Sequence, residues 1–572
     1  MRISRIIRNA GAAFVAGLCL TTSAARAQAT DSAGSAYLRA QDFETRDQYD
    51  SAAIAYRQAL VQTPNSLAAM LGLERVYAQL GRSDSLLPVL DSAIAREPRL
   101  NALRAAQLRT YRSLGDRAGL QRAFDQWRHD VPHDPAPYQE YARMLIEDGY
   151  TAQADTVLQL AQTQAGNARG FSYEVAQLDA AIGKWEPSAR AWRQAVSDNP
   201  YLADAAVFAL FPTPAGTRDA VRRALAAAPV STPPLKVLGA LELAWGAPRE
   251  GWTALHVLRP DSATVAAWLD FAHRAEQSNA WLVARDALVA ADQADPTPAY
   301  LVRAANDAFA GGDAAGAASL AARAETDLDS AAAATTALPI HLRALSALGK
   351  PADGARLLDA YRGVMSADDQ AQNARLLAWG WVRVGDLEHA RQALASGGGG
   401  DDAAAGWIAL YQGDLAGARR QLHAQGDPSG DVLAVLALLD RTRATKSEAL
   451  GNAYLTLARG DTATAAAAFA AAAPSLADAG SLLIATSARL YTTHGDAPQA
   501  IAAWKTIVDS LPQSPEAPEA DLEWARILRR TKQTPAAIAR LEHLIITYPQ
   551  SALVPQARRE LELARQTVPS TS

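Results

Sequence analysis

The chain has 572 residues, 49% of them hydrophobic and 20% charged, with a net charge of -5 and a sequence pI near 6.0. That length exceeds what one globular core usually holds, so several domains or an array growing in one dimension are expected, and the apolar content excludes general disorder. The mild negative charge gives no global attraction to nucleic acid or to an anionic membrane.

The chain opens with Arg2, Arg5 and Arg8, an apolar stretch from Ala10 to Leu20, and Ala25-Arg26-Ala27. Basic start, short apolar run and small residues at -3 and -1 predict a secretory signal over 1–27, cleaved after Ala27. A periplasmic or secreted protein is the expectation. Cys19 is the chain's single cysteine and falls inside this signal, so the mature chain is expected to carry no thiol, disulfide or thiolate-bound metal. Leu18 stands before Cys19 where a lipoprotein signal needs a small residue, which argues against lipidation. No later run reaches the roughly 18 apolar residues of a membrane-spanning helix.

From residue 28 to 200 a period appears. Gly81, Gly115, Gly149 and Gly183 stand 34 residues apart, and Pro64, Pro98, Pro132 and Pro200 keep the same stride, with Gly166 where the intervening proline would fall. After each glycine come a small or aliphatic residue, a large apolar one four later and, usually, alanine three after that, as in Ala154, Leu158 and Ala161. The first unit reads Tyr49, Ala52, Tyr56, Ala59 and Pro64, and the fifth reads Trp185, Ser188, Trp192, Ala195 and Pro200. This spacing is helical. Glycine ends one helix in the left-handed conformation, the small residue lets two helices approach, and the large one fills the gap between them.

Between 201 and 396 the phase loosens, with a bend expected where Pro212, Pro214, Pro229, Pro233 and Pro234 cluster. Ala284, Leu288, Ala291 and Pro296 mark one unit there, and Gly385, Ala390 and Leu394 another. A glycine-rich connector is read over 397–402, then alanine-rich helical repeats over 403–480, including Gly413, Ala418 and Leu422. The C-terminal units over 481–567 regain strength with Gly495, Ala500, Trp504 and Pro512, then Ala537, Leu541, Leu544 and Pro549. A last helix from Pro555 to Gln566 carries Arg558, Arg559, Glu560, Glu562 and Arg565, suiting a polar cap on a stack.

This pattern resembles the tetratricopeptide repeat, whose signature places Gly, Tyr, Ala, a large aromatic, Ala and Pro at these offsets. The resemblance covers most of the chain beyond the signal, strictly at its two ends. It implies an all-α solenoid of helical hairpins winding as a right-handed superhelix, with roughly fourteen helix pairs by division of length by period. The turns Leu511-Pro512-Gln513-Ser514-Pro515 and Tyr548-Pro549-Gln550-Ser551-Ala552 are also similar to those of periplasmic Tol-Pal accessory and outer-membrane assembly lipoprotein repeats.

Catalytic, metal and cofactor chemistry finds no constellation to rest on. His129 and His133 are four apart, but Pro132 between them breaks the helical spacing that zinc ligation needs. Gly311-Gly312-Asp313 and the glycines of 397–400 lack the lysine and the strand-to-helix setting of a phosphate loop and read as turns. Trp185 and Trp192 occupy core positions, and Trp245 and Trp252 repeat their spacing; Trp379 and Trp381, two apart, cannot share one inward stripe and are the candidates for exposed aromatics.

The residues singled out for binding recur nine positions into each unit: Gln41, Arg75, Arg109, Arg143 and Gln177. The family resemblance places this part of the first helix in the peptide-binding groove. Arg112 adds a positive group one turn on, and Tyr37, Gln139 and Tyr173 supply aromatic and amide contacts. Arginine forks suit carboxylates, so an acidic segment or chain terminus is the expected ligand. The reading is a non-enzymatic scaffold or adaptor for protein partners in envelope assembly or secretion. Its alternatives are an accessory subunit of polysaccharide export or cell-wall remodelling that binds glycan, and an enzyme in the irregular middle region.

Overall fold

The computed structural model describes residues 35–165, 168–398, 402–426 and 428–566. The signal and Cys19 lie outside the described residues, as does Gly166. The chain divides into two compact units, Met1–Arg259 and Pro260–Ser572.

In the first unit helices pair as antiparallel hairpins: α1 (residues 35–45) with α2 (Tyr49–Gln62), α3 (Leu67–Gln79) with α4 (Leu87–Arg96), and α5 (Asn101–Ser113) with α6 (Arg117–Asp130). Then follow α7 (Ala136–Glu147) with α8 (Thr151–Gln164), and α9 (Ser172–Ala181) with α10 (Trp185–Asp198). The proline-rich segment holds the short helices α11 (Ala203–Leu210) and α12 (Arg218–Leu225), and α13 (Thr232–Ala244) with α14 (Pro248–His256) closes the unit.

The second unit repeats the scheme in α15 (Ser262–Gln277) with α16 (Trp281–Ala294), α17 (Pro298–Ala310) with α18 (Ala314–Asp327), and α20 (Leu338–Ala347) with α21 (Pro351–Tyr361), a short α19 (Ser330–Thr336) preceding α20. It continues through α22 (Ala367–Val384) with α23 (Leu387–Ser396), and α24 (Asp402–Tyr411) with α25 (Leu415–His423). An extra helix, α26 (Gly430–Arg441), then separates that hairpin from α27 (Glu448–Ala458) with α28 (Thr462–Ala472). The pairs α29 (Gly480–His494) with α30 (Ala497–Ser510) and α31 (Ala517–Arg530) with α32 (Thr534–Thr547) lead to a terminal α33 (Val554–Gln566). Among the described residues there is no strand beyond an isolated bridge between Asp414 and Lys446.

One backbone device makes these hairpins. The residue closing the first helix of each pair takes a left-handed conformation, with φ between +66° and +79° at Gly81, Gly115, Gly149 and Gly183. Seven later glycines, from Gly246 before α14 to Gly495 before α30, repeat it, while Asp47, Asn279 and Lys532 adopt it without glycine, at φ near +60°. Where aspartate follows the glycine, as at Asp116, Asp313, Asp386, Asp414, Asp461 and Asp496, its carboxylate accepts the N–H three residues on and caps the next helix. Gly311-Gly312-Asp313 is therefore a turn and cap, as its sequence reading held.

The core runs along the seams between hairpins. Ala52 and Tyr56, Ala154 and Leu158, Ser188 and Trp192, Ala284 and Leu288, Ala500 and Trp504, and Ala537 and Leu541 are all buried at the repeated small and large positions. Gly397 comes so close to α22 that a Cβ there would lie 2.7 Å from that of Ala374, so this glycine seats α23 against its neighbour. Asp401 and the last glycines of the connector lie outside the described residues.

Candidate functional site

The first helices of the hairpins in the first unit carry a chain of alternating charges. Arg75 on α3 holds Glu44 of α1 with Nε to Oε1 at 2.9 Å and Nη2 to Oε2 at 3.1 Å. Arg109 on α5 grips Glu74 of α3 in the same forked way, at 2.7 and 2.8 Å, and approaches Glu140 of α7 at 3.6 Å. Arg143 pairs with Glu140 on its own helix, and its charge also acts on the buried Glu174 of α9. Arg112, one turn on from Arg109, is held by Glu147 and Asp148, both at 2.6 Å.

The structure therefore brings the four predicted arginines to one run of helices but neutralises each from within the chain. Pairs of this exposure are worth about 0–1 kcal/mol each, so their chief effect is to fix neighbouring hairpins in register and to cancel the field of the row. Apart from Glu140, which shares α7 with Arg143, the carboxylates were missed in the sequence because they sit on the first helix of a neighbouring hairpin. Glutamate 31 or 35 residues from each arginine was the available signal.

The amides and tyrosines are likewise self-paired. Gln41 donates to Tyr37 at 3.0 Å and Gln177 to Tyr173 at 2.7 Å, while Gln139 donates to the Gly170 carbonyl at 2.6 Å. The Tyr37 ring meets Tyr56 at 5.9 Å and the Tyr173 ring stands edge-on to Trp192 at 5.4 Å, both residues of the following helix. Yet the side chains of Arg75, Arg109 and Arg143 remain 57%, 40% and 41% exposed, so a partner reaches them without unfolding anything.

The aromatic expectation needs correcting at Trp379 and Trp381. Neither is exposed: Trp379 packs against Tyr411, and Trp381 stacks on His389 at 4.6 Å, both joining the cluster around Val382 and Ile408. Two residues apart on one helix, both are half-buried, Trp381 turned toward His389 of α23 and Trp379 toward Tyr411 of α24. Trp185, Trp245 and Trp252 are half-buried, with Trp245 donating to the Phe211 carbonyl at 3.0 Å. His129 lies in the last turn of α6 and His133 in the turn beyond it. Among the described residues no group of three or more His, Cys, Asp or Glu is placed to hold a metal ion.

The second unit holds an acid pair, one member buried and the other half-buried, that the sequence did not announce. Asp307 on α17 is 2% exposed, and burial together with the neighbouring Glu276 carboxylate pushes its carboxyl up to about 7. Glu276 stays ionised under a bidentate grip from Arg303, at 2.6 and 2.8 Å, with His273 at 3.7 Å. An acid whose folded pKa is raised stabilises the fold fully only below its unfolded value near 4, and that contribution is lost as pH climbs through about 7. Asp307→Asn is expected to match wild type in thermal melting at pH 4 and to exceed it progressively up to pH 8. A constant difference across that range would contradict the assignment.

What decides the architecture is the recurrence itself: left-handed turn residues at 47, 81, 115, 149 and 183, each one period from the next, with the small and large signature residues buried after every one. The described residues form an all-α array of helical hairpins of the tetratricopeptide kind. No family model matches it. A cellulose synthase operon protein C of Pseudomonas fluorescens is 29% identical over 153 residues, which cover 25% of this chain and 12% of that relative. Among solved structures, a tetratricopeptide repeat protein from Parabacteroides merdae is similar over 52% of this chain and 93% of its own, at 12% identity and a TM-score of 0.25. A chain of the APC/C hetero-tetramer Cut9-Hcn1 is similar over 93% of this chain and 96% of its own, at 14% identity and a TM-score of 0.22. One of Naa15/Naa10 bound to HypK-THB covers 96% of this chain and 89% of its own, at 14% and 0.25.

Proposed function

We propose that this tetratricopeptide-repeat chain is a non-catalytic scaffold, exported by its signal and working in the periplasm or outside, that holds a protein partner along the first helices of the hairpins in the first unit. The observation that supports it is the row of half-exposed arginine–glutamate pairs, Arg75 with Glu44, Arg109 with Glu74 and Arg143 with Glu140, on successive first helices. Three arginines are matched by three glutamates, so a purely acidic segment would follow no net field. A segment carrying both signs, able to exchange partners pair for pair, fits better. Its affinity is modest and falls with salt.

The test separates the groove from the fold. Replacing Arg75, Arg109 and Arg143 by glutamine together with Glu44, Glu74 and Glu140 removes the charges without leaving half-buried carboxylates unpaired. We expect this sixfold variant to keep wild-type helicity and melting while losing the salt-sensitive partners captured by wild type from envelope extract. By contrast, Arg109→Gln alone is expected to cost about 1–3 kcal/mol in urea unfolding, because Glu74 is then left without its counter-ion while Glu140 keeps Arg143. Undiminished capture by the sixfold variant would remove the groove from this reading.

A second reading is favoured by the relative from Pseudomonas fluorescens, whose name ties it to cellulose synthesis. Here the chain is an accessory of exopolysaccharide synthesis or export, and the repeats contact the glycan or the machine that handles it.

A further inference from the structure

A hollow of about 460 Å³ opens in the first unit where the α5–α6 turn meets the start of α8, a size suited to a small ligand. Its floor is Leu120, Met144 and Leu145, and its walls carry Tyr111, Arg117 and Gln153. The place is built rather than left over. Tyr111 lies on Gly119, where a Cβ would come within 2.4 Å of its ring, so the tyrosine occupies space that any other residue at 119 would fill. Arg117 lies over the face of Tyr150, 4.2 Å from its centroid, and Tyr141 donates to Gln121 at 2.7 Å.

Charge narrows the occupant. Arg112 at the rim is spent on Glu147 and Asp148, and the charge of Arg117 is balanced without direct contact by Asp116, whose carboxylate caps α6, so the hollow is close to neutral. Among the described residues Arg117 has no carboxylate partner, and neither the Tyr111 hydroxyl nor the Gln153 amide makes a side-chain hydrogen bond. Separate donors and acceptors thus ring an apolar floor edged by tyrosine. A pyranose has that complementary form: C–H faces that lie on apolar and aromatic surface, and an equator of hydroxyls that both donate and accept. A charged peptide terminus would meet an opposing charge at either side.

We propose that this hollow is a binding subsite for one or two residues of a neutral polysaccharide. It rests on the second reading above and supplies that reading with a site. Titration calorimetry of the chain from Gln28 onward with cellotetraose, maltotetraose and chitotetraose tests it. At least one is expected to bind, with Arg117→Ala, Gln153→Ala and Tyr111→Phe each weakening it about tenfold or more while melting stays unchanged; the first two are exposed and the third removes only a hydroxyl. Binding that survives all three substitutions overturns the subsite and leaves the glycan reading standing. No binding of any tetrasaccharide at millimolar concentration overturns both. Binding of neutral peptides in place of sugar, abolished by the same variants, would overturn the ligand class.

Discussion

Gly451→Ala is expected to break the seam between α24 and α27 and to cost about 3 kcal/mol, the upper end of ordinary overpacking. A Cβ at Gly451 would lie 2.7 Å from the Gly413 nitrogen and the Tyr411 carbonyl oxygen and 2.8 Å from the Leu410 carbonyl oxygen. All three are backbone atoms, so no side chain can turn aside to make room. The neighbouring bonds fix the two segments at this distance: Ser447 donates to the Gly413 carbonyl at 2.9 Å and Ala416 to that of Thr445 at 3.1 Å. Hydrogen exchange should rise across α24, α25 and α27. Gly430→Ala, which meets nothing within 4 Å, serves as the control and should leave melting unchanged. Equal melting of the two variants would show that α27 is free to slide.

The same seam explains why the array was only partly legible. The strict stride of Gly81, Gly115, Gly149 and Gly183 was readable because glycine adopts the left-handed turn at little cost, and two residue types kept one phase. Asp47, Asn279 and Lys532 hold the identical turn conformation with ordinary side chains, so their hairpins carried no glycine signal. Between Gly413 and Gly460 the period failed for another reason. The inserted α26 buries Val432, Val435, Leu438 and Leu439 in the core shared with α25 and α28, and its apolar pattern is that of any other helix. Periodicity alone does not distinguish an added helix from a degenerate repeat.

The candidate site was legible in position but not in charge state. Arg75, Arg109 and Arg143 announced themselves through their common phase, whereas Glu44 and Glu74 occupy different phases and reach Arg75 and Arg109 only when first helices lie side by side; Glu140, three residues before Arg143 on α7, is the one local pair. The hollow beside Tyr111 had still less signal, since it depends on Gly119 being bare next to a tyrosine eight residues earlier.

Trp192→Ala should produce the largest loss, about 3–5 kcal/mol by the usual cost of deleting a buried tryptophan. The side chain is fully buried between α9 and α10, edge-on to Tyr173. Among the described residues its buried indole nitrogen has no hydrogen-bond partner, so Trp192→Phe keeps most of the packing, sheds that unmet donor and should cost far less. How the loss appears depends on the architecture. In a repeat array each hairpin contacts chiefly its neighbours, and stability is close to a sum of local terms. Exchange should therefore accelerate in α7–α13, with the second unit keeping its protection and its own melting transition. Trp504→Ala, at the equivalent position of α30 and equally buried, should give the reverse pattern. If both variants melted the whole chain in one step, the two units would fold as a single cooperative body, and a partner held on the first would stabilise the second as well.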